Sequence, residues 1–219
     1  MDRHKPADPG AAPYVPANAT LAGLWDAAQK CKGCDLYRHA TQAVLGEGRR
    51  SARIMMVGEQ PGDQEDRQGK PFVGPAGRLL DKALQDAGIA RKDVYVTNAV
   101  KHFKFEERGK RRIHKKPGGR EIAACSPWLE AEIGLVRPAL IVCLGATAAR
   151  AVIGKQHRLL EQRGQFFDHP SGAKVMATVH PSAVLRAPDA DRRHADYQAF
   201  VEDLAGVHSM LQPHAKMHA

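Results

Sequence analysis

The 219-residue chain lacks an apolar run long enough to span a membrane. Its most apolar window, "PALIVCLGATAARAVIG", is interrupted by Arg150 and reads as a buried strand followed by a helix. The opening stretch, "MDRHKPADPGAAPYVPANAT", lacks the apolar core of a signal peptide. It is rich in Pro and Ala, and residues 1–19 read as a mobile arm. These two absences point to a cytoplasmic protein. Internal repeats and long linkers are missing too, so residues 20–208 read as one domain and residues 209–219 as a mobile tail. Only four cysteines occur, and in a cytoplasmic chain a disulfide framework is excluded. Acidic residues are outnumbered, 24 against 33 Lys and Arg, giving a net charge of +9. Such an excess favours a polyanionic partner and says nothing about fold.

Strand and helix signals alternate along the chain. Thr20 is placed to cap a helix through "LAGLWDAAQK". "RIMMVG", "VYVTNAV", "ALIVCLG" and "KVMATVH" are short apolar runs that read as buried strands. "PAGRLLDKALQDAG" opens with Pro and closes with Gly, as helices do. "REIAACSPWLEAEIGLV" reads as a helix despite Pro127, and a last helix runs through "DYQAFVEDLAGVHSML". Near-continuous apolar strands between helices predict an α/β protein: a three-layer α-β-α sandwich around a central four-stranded, mostly parallel sheet. Ligands of such sheets bind beyond the carboxyl ends of the strands. Those ends carry Gly58-Glu59-Gln60, Thr97-Asn98, Gly145 and His180-Pro181-Ser182, so polar groups gather where a site belongs.

Cys31 and Cys34 form C-x2-C; Cys125 lies in a predicted helix and Cys143 in a predicted strand. The set suggests zinc or an iron–sulfur cluster, or else Cys125 and Cys143 are ordinary buried thiols. "GEQPGDQEDRQGKPF" is not a phosphate loop: Pro71 follows the Gly-Lys, and its carboxylates would repel phosphate. Carboxylates and an amide at a strand end suit hydrogen bonding to a base or acid–base work, unless the loop is simply acidic surface. Asn98 can pair with a nucleobase edge or merely end its strand. Phe72 can stack on a base or pack beneath its loop. In "HPSAVLR", His180 can donate to an oxygen that gains charge, and Val184 and Leu185 can wedge apart unstacked bases or anchor a short helix. "KRRIHKKP", Lys110 to Pro117, is either a solvated DNA contact or a loop that delivers chemistry through His114.

Together "GEQPG", "TN", "HPSAVLR" and the four cysteines resemble the uracil-DNA glycosylase superfamily, and within it the iron–sulfur branch, family 4. The likeness runs from about Thr20 to about Leu204. Gln60, where Ala is common, and the long insert holding "KRRIH" resemble the UdgX group, whose members become covalently attached to uracil-containing DNA. The resemblance implies a 4Fe-4S cluster on Cys31, Cys34, Cys125 and Cys143, and catalytic roles for His114, Glu59 and His180. It implies uracil contacts from Gln60, Gly62, Asp63, Phe72, Asn98 and His180. DNA contacts would come from Lys101, Lys110, Arg111, Arg112, Ser182 and Arg186. The implied partner is uracil-containing DNA, single- or double-stranded, met by a monomer.

The implied chemistry is consistent. A uracil within a duplex must be flipped out to be reached. Asn98 would read N3–H and O4, held by a hydrogen-bond lock that stops the amide turning to accept cytosine. His180 would stabilise the uracil anion, and neutral His114 would capture the sugar at C1′. Lys110, Arg111, Arg112, Lys115 and Lys116 would bias His114 to its neutral form. Two other readings stand beside this one: ordinary turnover with water as nucleophile, and a metal-stabilised DNA-binding module without chemistry.

Overall fold

The computed structural model describes residues 10–211. In chain order the helices and strands are α1 (Leu21–Ala28), β1 (Ile54–Gly58), α2 (Asp63–Gln68), α3 (Pro75–Asp86), β2 (Val94–Asn98), β3 (Phe105–Arg108), β4 (Arg111–His114), α4 (Gly119–Val136), β5 (Leu140–Leu144), α5 (Ala146–Val152), α6 (Leu159–Gln162), β6 (Phe166–Asp168), β7 (Lys174–Thr178), α7 (Pro181–Leu185) and α8 (Ala190–Leu211). The main sheet runs β2-β1-β5-β7-β6, with the first four strands parallel. Every residue of β1, β2 and β5 is buried, which explains their unbroken apolar runs.

Side-chain alternation along these strands splits the core in two. Ile54, Met56, Val94, Val96, Leu140, Val142 and Met176 face α3 and α8. Met55, Val57, Tyr95, Ile141, Cys143 and Val175 face α4 and α5. The three-layer α-β-α prediction holds, with one addition. A fifth strand, β6, pairs antiparallel with β7 at the sheet edge. Its three residues, Phe166–Asp168, are too short to leave a period in the sequence.

The caps behave as their residues require. The Thr20 side chain accepts from Gly23 N at 3.1 Å. Pro127 has no N–H to give Ala123 O, four residues back, and the Ser126 hydroxyl donates to that carbonyl instead at 3.1 Å.

Three expectations change. Within the described part of the Pro/Ala-rich arm, Ala11 is buried and donates through its N–H to Ala124 O of α4 at 2.7 Å. Residues 1–9 of the predicted arm and 212–219 of the tail lie outside the described residues, while α8 runs on to Leu211. The basic loop is an antiparallel hairpin, β3–β4, pairing Phe105 with His114 and turning at Gly109, whose φ of 59° suits glycine. Finally, part of the acidic loop coils into α2, because Glu65 satisfies Gly62 N at 3.1 Å and Gly74 N at 2.7 Å. No helix among the described residues is long and apolar enough to cross a membrane.

Candidate active site

The parallel strands end on one edge, and the loops leaving them carry the site. Ala99 N donates to Gly58 O at 2.9 Å and Val100 N to Glu59 O at 3.0 Å, so the ends of β1 and β2 are stitched together. Glycine is required at position 58: a Cβ there would stand 2.4 Å from Asn98 Oδ1 and 2.7 Å from the Phe72 ring. That close approach brings the Asn98 carboxamide and the Phe72 ring together over one backbone position. Phe72 sits at a φ of 56°, unusual for a residue with a side chain, so packing holds a strained backbone here. Its ring lies 6.2 Å from that of His180, inclined at 28°.

His180 follows β7 and caps α7. Ser182 N donates to His180 Nδ1 at 3.1 Å, and the Ser182 hydroxyl lies 2.7 Å from the same nitrogen. A ring nitrogen that accepts a main-chain N–H carries no proton, so neutral His180 bears its hydrogen on Nε2. Burial drives its pKa down to about 4, with Arg186 and His114 adding to the shift. Ser182 therefore orients His180. In the same turn Val184 is buried in the core and Leu185 is exposed, so only Leu185 is free to act as a wedge.

His114 comes from a different part of the chain but reaches the same place. Its Nε2 lies 3.0 Å from Gln60 Nε2 and 3.5 Å from Glu59 Oε1, and its ring centroid is 5.9 Å from that of Phe103. The second Glu59 oxygen accepts the hydroxyl hydrogen of Thr147, from α5. Burial lowers the His114 pKa first; Glu59 opposes the shift and Arg186 adds to it. The expected direction is correct, but its source is burial and Arg186, not the basic residues beside His114 in sequence.

Two of the predicted uracil contacts are engaged in holding the hairpin. Gln60 is buried; its Nε2 donates to Lys104 O at 3.1 Å and Lys115 O at 3.0 Å, and its Oε1 accepts from Lys104 N at 3.1 Å. Asp63 binds Arg67 at 3.0 Å and Arg112 at 2.5 Å. Gly62 caps the start of α2.

The predicted DNA-contact set divides. Lys110, Arg111 and Arg186 are exposed. Arg112 turns inward, paired with Asp63 and, at 2.6 Å, with the fully buried Asp66. Its guanidinium also lies 5.4 Å from the Phe103 ring and 5.0 Å from that of Phe105. Lys101 is 1 % exposed, and its ammonium group is enclosed by Glu132, Thr97 and Asn98. Neither side chain faces a solvent-borne phosphate. The sequence suggests DNA contacts for both because a formal charge there does not reveal a buried counter-charge.

The cysteines divide as well. Cys31, Cys34 and Cys125 belong with one packed cluster around α1 and α4. Burial raises the Cys125 pKa to about 12, and the neighbouring Cys34 and Cys31 push it the same way. Trp128 Nε1 donates to Cys31 Sγ at 3.3 Å, and Lys101 N to Cys125 Sγ at 3.2 Å. Cys143 sits instead mid-strand in β5, flanked by Val57 and Ala177 and fully buried in the sheet core. Its pKa is raised by burial alone. Three of the four expected ligands fit a shared site, and Cys143 does not. Among the described residues no three His, Cys, Asp or Glu side chains converge on a single-ion site. The chain that leaves Lys101 enters His102, buried, with its pKa lowered to about 4 by burial. Thr147 and Glu132 join the site without any signal in the sequence, since nothing in their local spacing marks them.

A profile of the uracil DNA glycosylase superfamily matches residues 45–205. A type-4 uracil-DNA glycosylase of Thermotoga maritima is 41% identical over 185 residues, spanning 84% of this chain and 91% of that protein. Type-4 uracil-DNA glycosylases of Pyrobaculum aerophilum and Saccharolobus solfataricus are 37% and 38% identical, over 77% and 74% of this chain and 86% and 76% of theirs. With this extent of match, the chain belongs to the uracil-DNA glycosylase superfamily, in its type-4 branch.

Proposed function

We propose that this protein excises uracil from DNA. The observation that carries the reading is the convergence of Phe72, Asn98 and His180 at the strand ends of a type-4 glycosylase chain. Uracil unstacked from DNA would lie on the Phe72 ring, with Asn98 reading its N3–H and O4 edge. As the bond between N1 and C1′ breaks, its electron pair passes to the base, and negative charge grows on O2. Neutral His180, with hydrogen on Nε2, would donate there; a donor of this kind is worth about 3 kcal/mol in the transition state. Lys110, Arg111 and Arg186 would hold phosphates, and Leu185 would fill the space the base vacates.

One observation favours a further step. The Nε2 of His114 lies 3.5 Å from Glu59 Oε1, a carboxylate suited to offset a sugar cation. In this reading His114 Nε2 gives its lone pair to C1′, making an N–C1′ bond. The resulting imidazolium loses its Nδ1 proton to solvent, and the neutral linkage that remains could break only by expelling an imidazolide anion, a poor leaving group. Glu59 would hold the ring in place and offset the cationic charge of the sugar. If water takes the place of His114, the same residues perform ordinary excision.

Cys31, Cys34 and Cys125 would hold a 4Fe-4S cluster, with the remaining iron bound by another donor. His102 is suited to that place, as a buried neutral imidazole on the segment that already touches Cys125. The cluster would tie the N-terminal segment to α4 and take no part in the bond-breaking step.

The test is incubation with a labelled uracil-containing single-stranded oligonucleotide, followed by a denaturing gel. The wild-type chain and His114→Ala run side by side, with and without alkali. Strand cleavage after alkali in either chain supports excision; an intact and unretarded strand in both removes it. A band retarded by one protein mass in wild type, absent from His114→Ala, supports capture by His114. Alkali cleavage with no retarded band assigns water as the nucleophile.

A further inference from the structure

Lys101 and Glu132 form the most deeply buried of the ion pairs among the described residues, 1 % and 0 % exposed. Such a pair is a poor way to gain stability, because both ions lose their hydration and an apolar pair of the same volume often serves as well. What it does well is fix geometry, since all three ammonium hydrogens have acceptors. They are Glu132 Oε2 at 2.5 Å, Thr97 Oγ1 at 2.8 Å and the main-chain carbonyl of Asn98 at 2.6 Å.

Glu132 is equally committed. Its Oε1 accepts from Gly46 N at 2.7 Å and the Tyr95 hydroxyl at 2.8 Å, and its Oε2 from the Thr97 hydroxyl at 2.9 Å. Tyr95 and Thr97 are the alternate residues of β2 that point at α4, and Asn98 comes next. The Lys101 main-chain N–H donates to Cys125 Sγ on the same helix. One residue therefore grips the strand end with its side chain and α4 with its backbone.

We infer that Lys101, seated on Glu132, is the positioning residue for Asn98. It fixes the Asn98 carbonyl, and so the peptide plane from which the Asn98 side chain projects toward Gly58 and Phe72. The lock on base recognition thus acts on the main chain beneath the carboxamide. A carboxamide on a freely turning strand end would present donor and acceptor at varying angles, and its affinity for one base edge would fall. The inference rests on reading Asn98 as the group that contacts the base.

The test compares Asn98→Ala with the paired variant Lys101→Met, Glu132→Gln. The pair removes both charges together. The carboxamide introduced by Glu132→Gln would still accept from Gly46 and Tyr95 and can donate to Thr97 in place of the ammonium, so the losses are the hold on Asn98 O and the acceptor of the Thr97 hydroxyl hydrogen. Three quantities are measured: kcat/KM for uracil excision, inhibition by free uracil, and affinity for uracil-free single-stranded DNA. In the paired variant kcat/KM should fall at least tenfold and the inhibition constant of uracil should rise in step. DNA affinity should stay within twofold of wild type. A loosened fold would instead weaken DNA binding as well. If Asn98→Ala leaves excision unchanged, the reading of Asn98 fails. If Asn98→Ala is crippled while the folded pair binds uracil as wild type does, the inference about Lys101 fails. Should the pair not fold, Thr97→Val removes one acceptor of the ammonium and leaves both charges. A smaller loss of uracil affinity is then expected, and an unchanged value overturns the inference.

Discussion

The four parallel strands and the segments laid over their ends are built by different physics. Each strand is buried on both faces, and its side chains are held by apolar packing. The hairpin that carries His114 has little apolar anchorage: Phe105 is partly buried, and most of its remaining residues are exposed. Polar contacts hold it in place, from Gln60 to Lys104 and Lys115 and from Arg112 to Asp63 and Asp66. The strand ends offer a rigid seat for a base. The hairpin places one more group there through a few specific bonds, each of which can be cut without disturbing the sheet. Residues of the seat should therefore govern excision, and residues of the hairpin should govern what happens to the sugar afterwards.

The largest contrast is between two cysteines, one on each side of this divide. Cys125 shares its corner with Cys31 and Cys34, while Cys143 belongs to the sheet. With anaerobically purified protein, Cys125→Ala should lose its brown colour and bound iron, and Cys143→Ala should keep both. His102→Ala should lower the iron content as well. Equal loss of iron from the Cys143 and Cys125 variants would return Cys143 to the ligand set.

Next in size is the contrast between His180 and Arg112. His180→Ala should slow uracil release roughly 100- to 1000-fold, the usual cost of losing one donor to a developing anion. Arg112→Gln leaves Asp66 buried without its cation, which should cost about 3 kcal/mol of stability. Its effect on chemistry should be selective. Capture by His114 should fall by up to about 100-fold as the hairpin drifts, with excision nearly intact. Both activities can be read from one gel, by the alkali product and the retarded band. Parallel loss of the two would mean that hairpin and seat are one mechanical unit.

The same divide separates what is legible in the sequence from what is not. β1, β2, β5 and β7 are legible because burial on two faces forces a continuous apolar run. Glu59, Asn98 and His180 are legible because they stand where such runs stop. Lys101 and Arg112 mislead, since each is a cation whose partner lies far away in sequence: Glu132 is 31 residues on, and Asp66 is 46 residues back. Cys143 misleads for the opposite reason. Its spacing suits a ligand, but strand alternation turns it into the sheet. Pairing in β3–β4 is hidden by charge, since its register sets Glu107 opposite Arg112 with no apolar period to read.

pH gives the smallest effect and the finest separation. His180 has a pKa of about 4 in the fold, against about 6.5 for an unfolded histidine. Between those values the unfolded chain binds the extra proton, so stability falls as pH drops through that window. By pH 5 the loss for His180 should be about 2 kcal/mol, visible as a lower Tm. Excision should behave otherwise. The folded enzyme keeps His180 neutral with its hydrogen on Nε2, so the rate at 25 °C should change by less than about twofold between pH 8 and pH 5.5. The His114 pKa is shifted in the same direction, and capture should likewise survive below about pH 6.5. An excision rate that falls with a midpoint near 6.5 would show that His180 titrates as a solvated imidazole. Neutral His180 would still be the active form, and burial would not be what keeps it neutral.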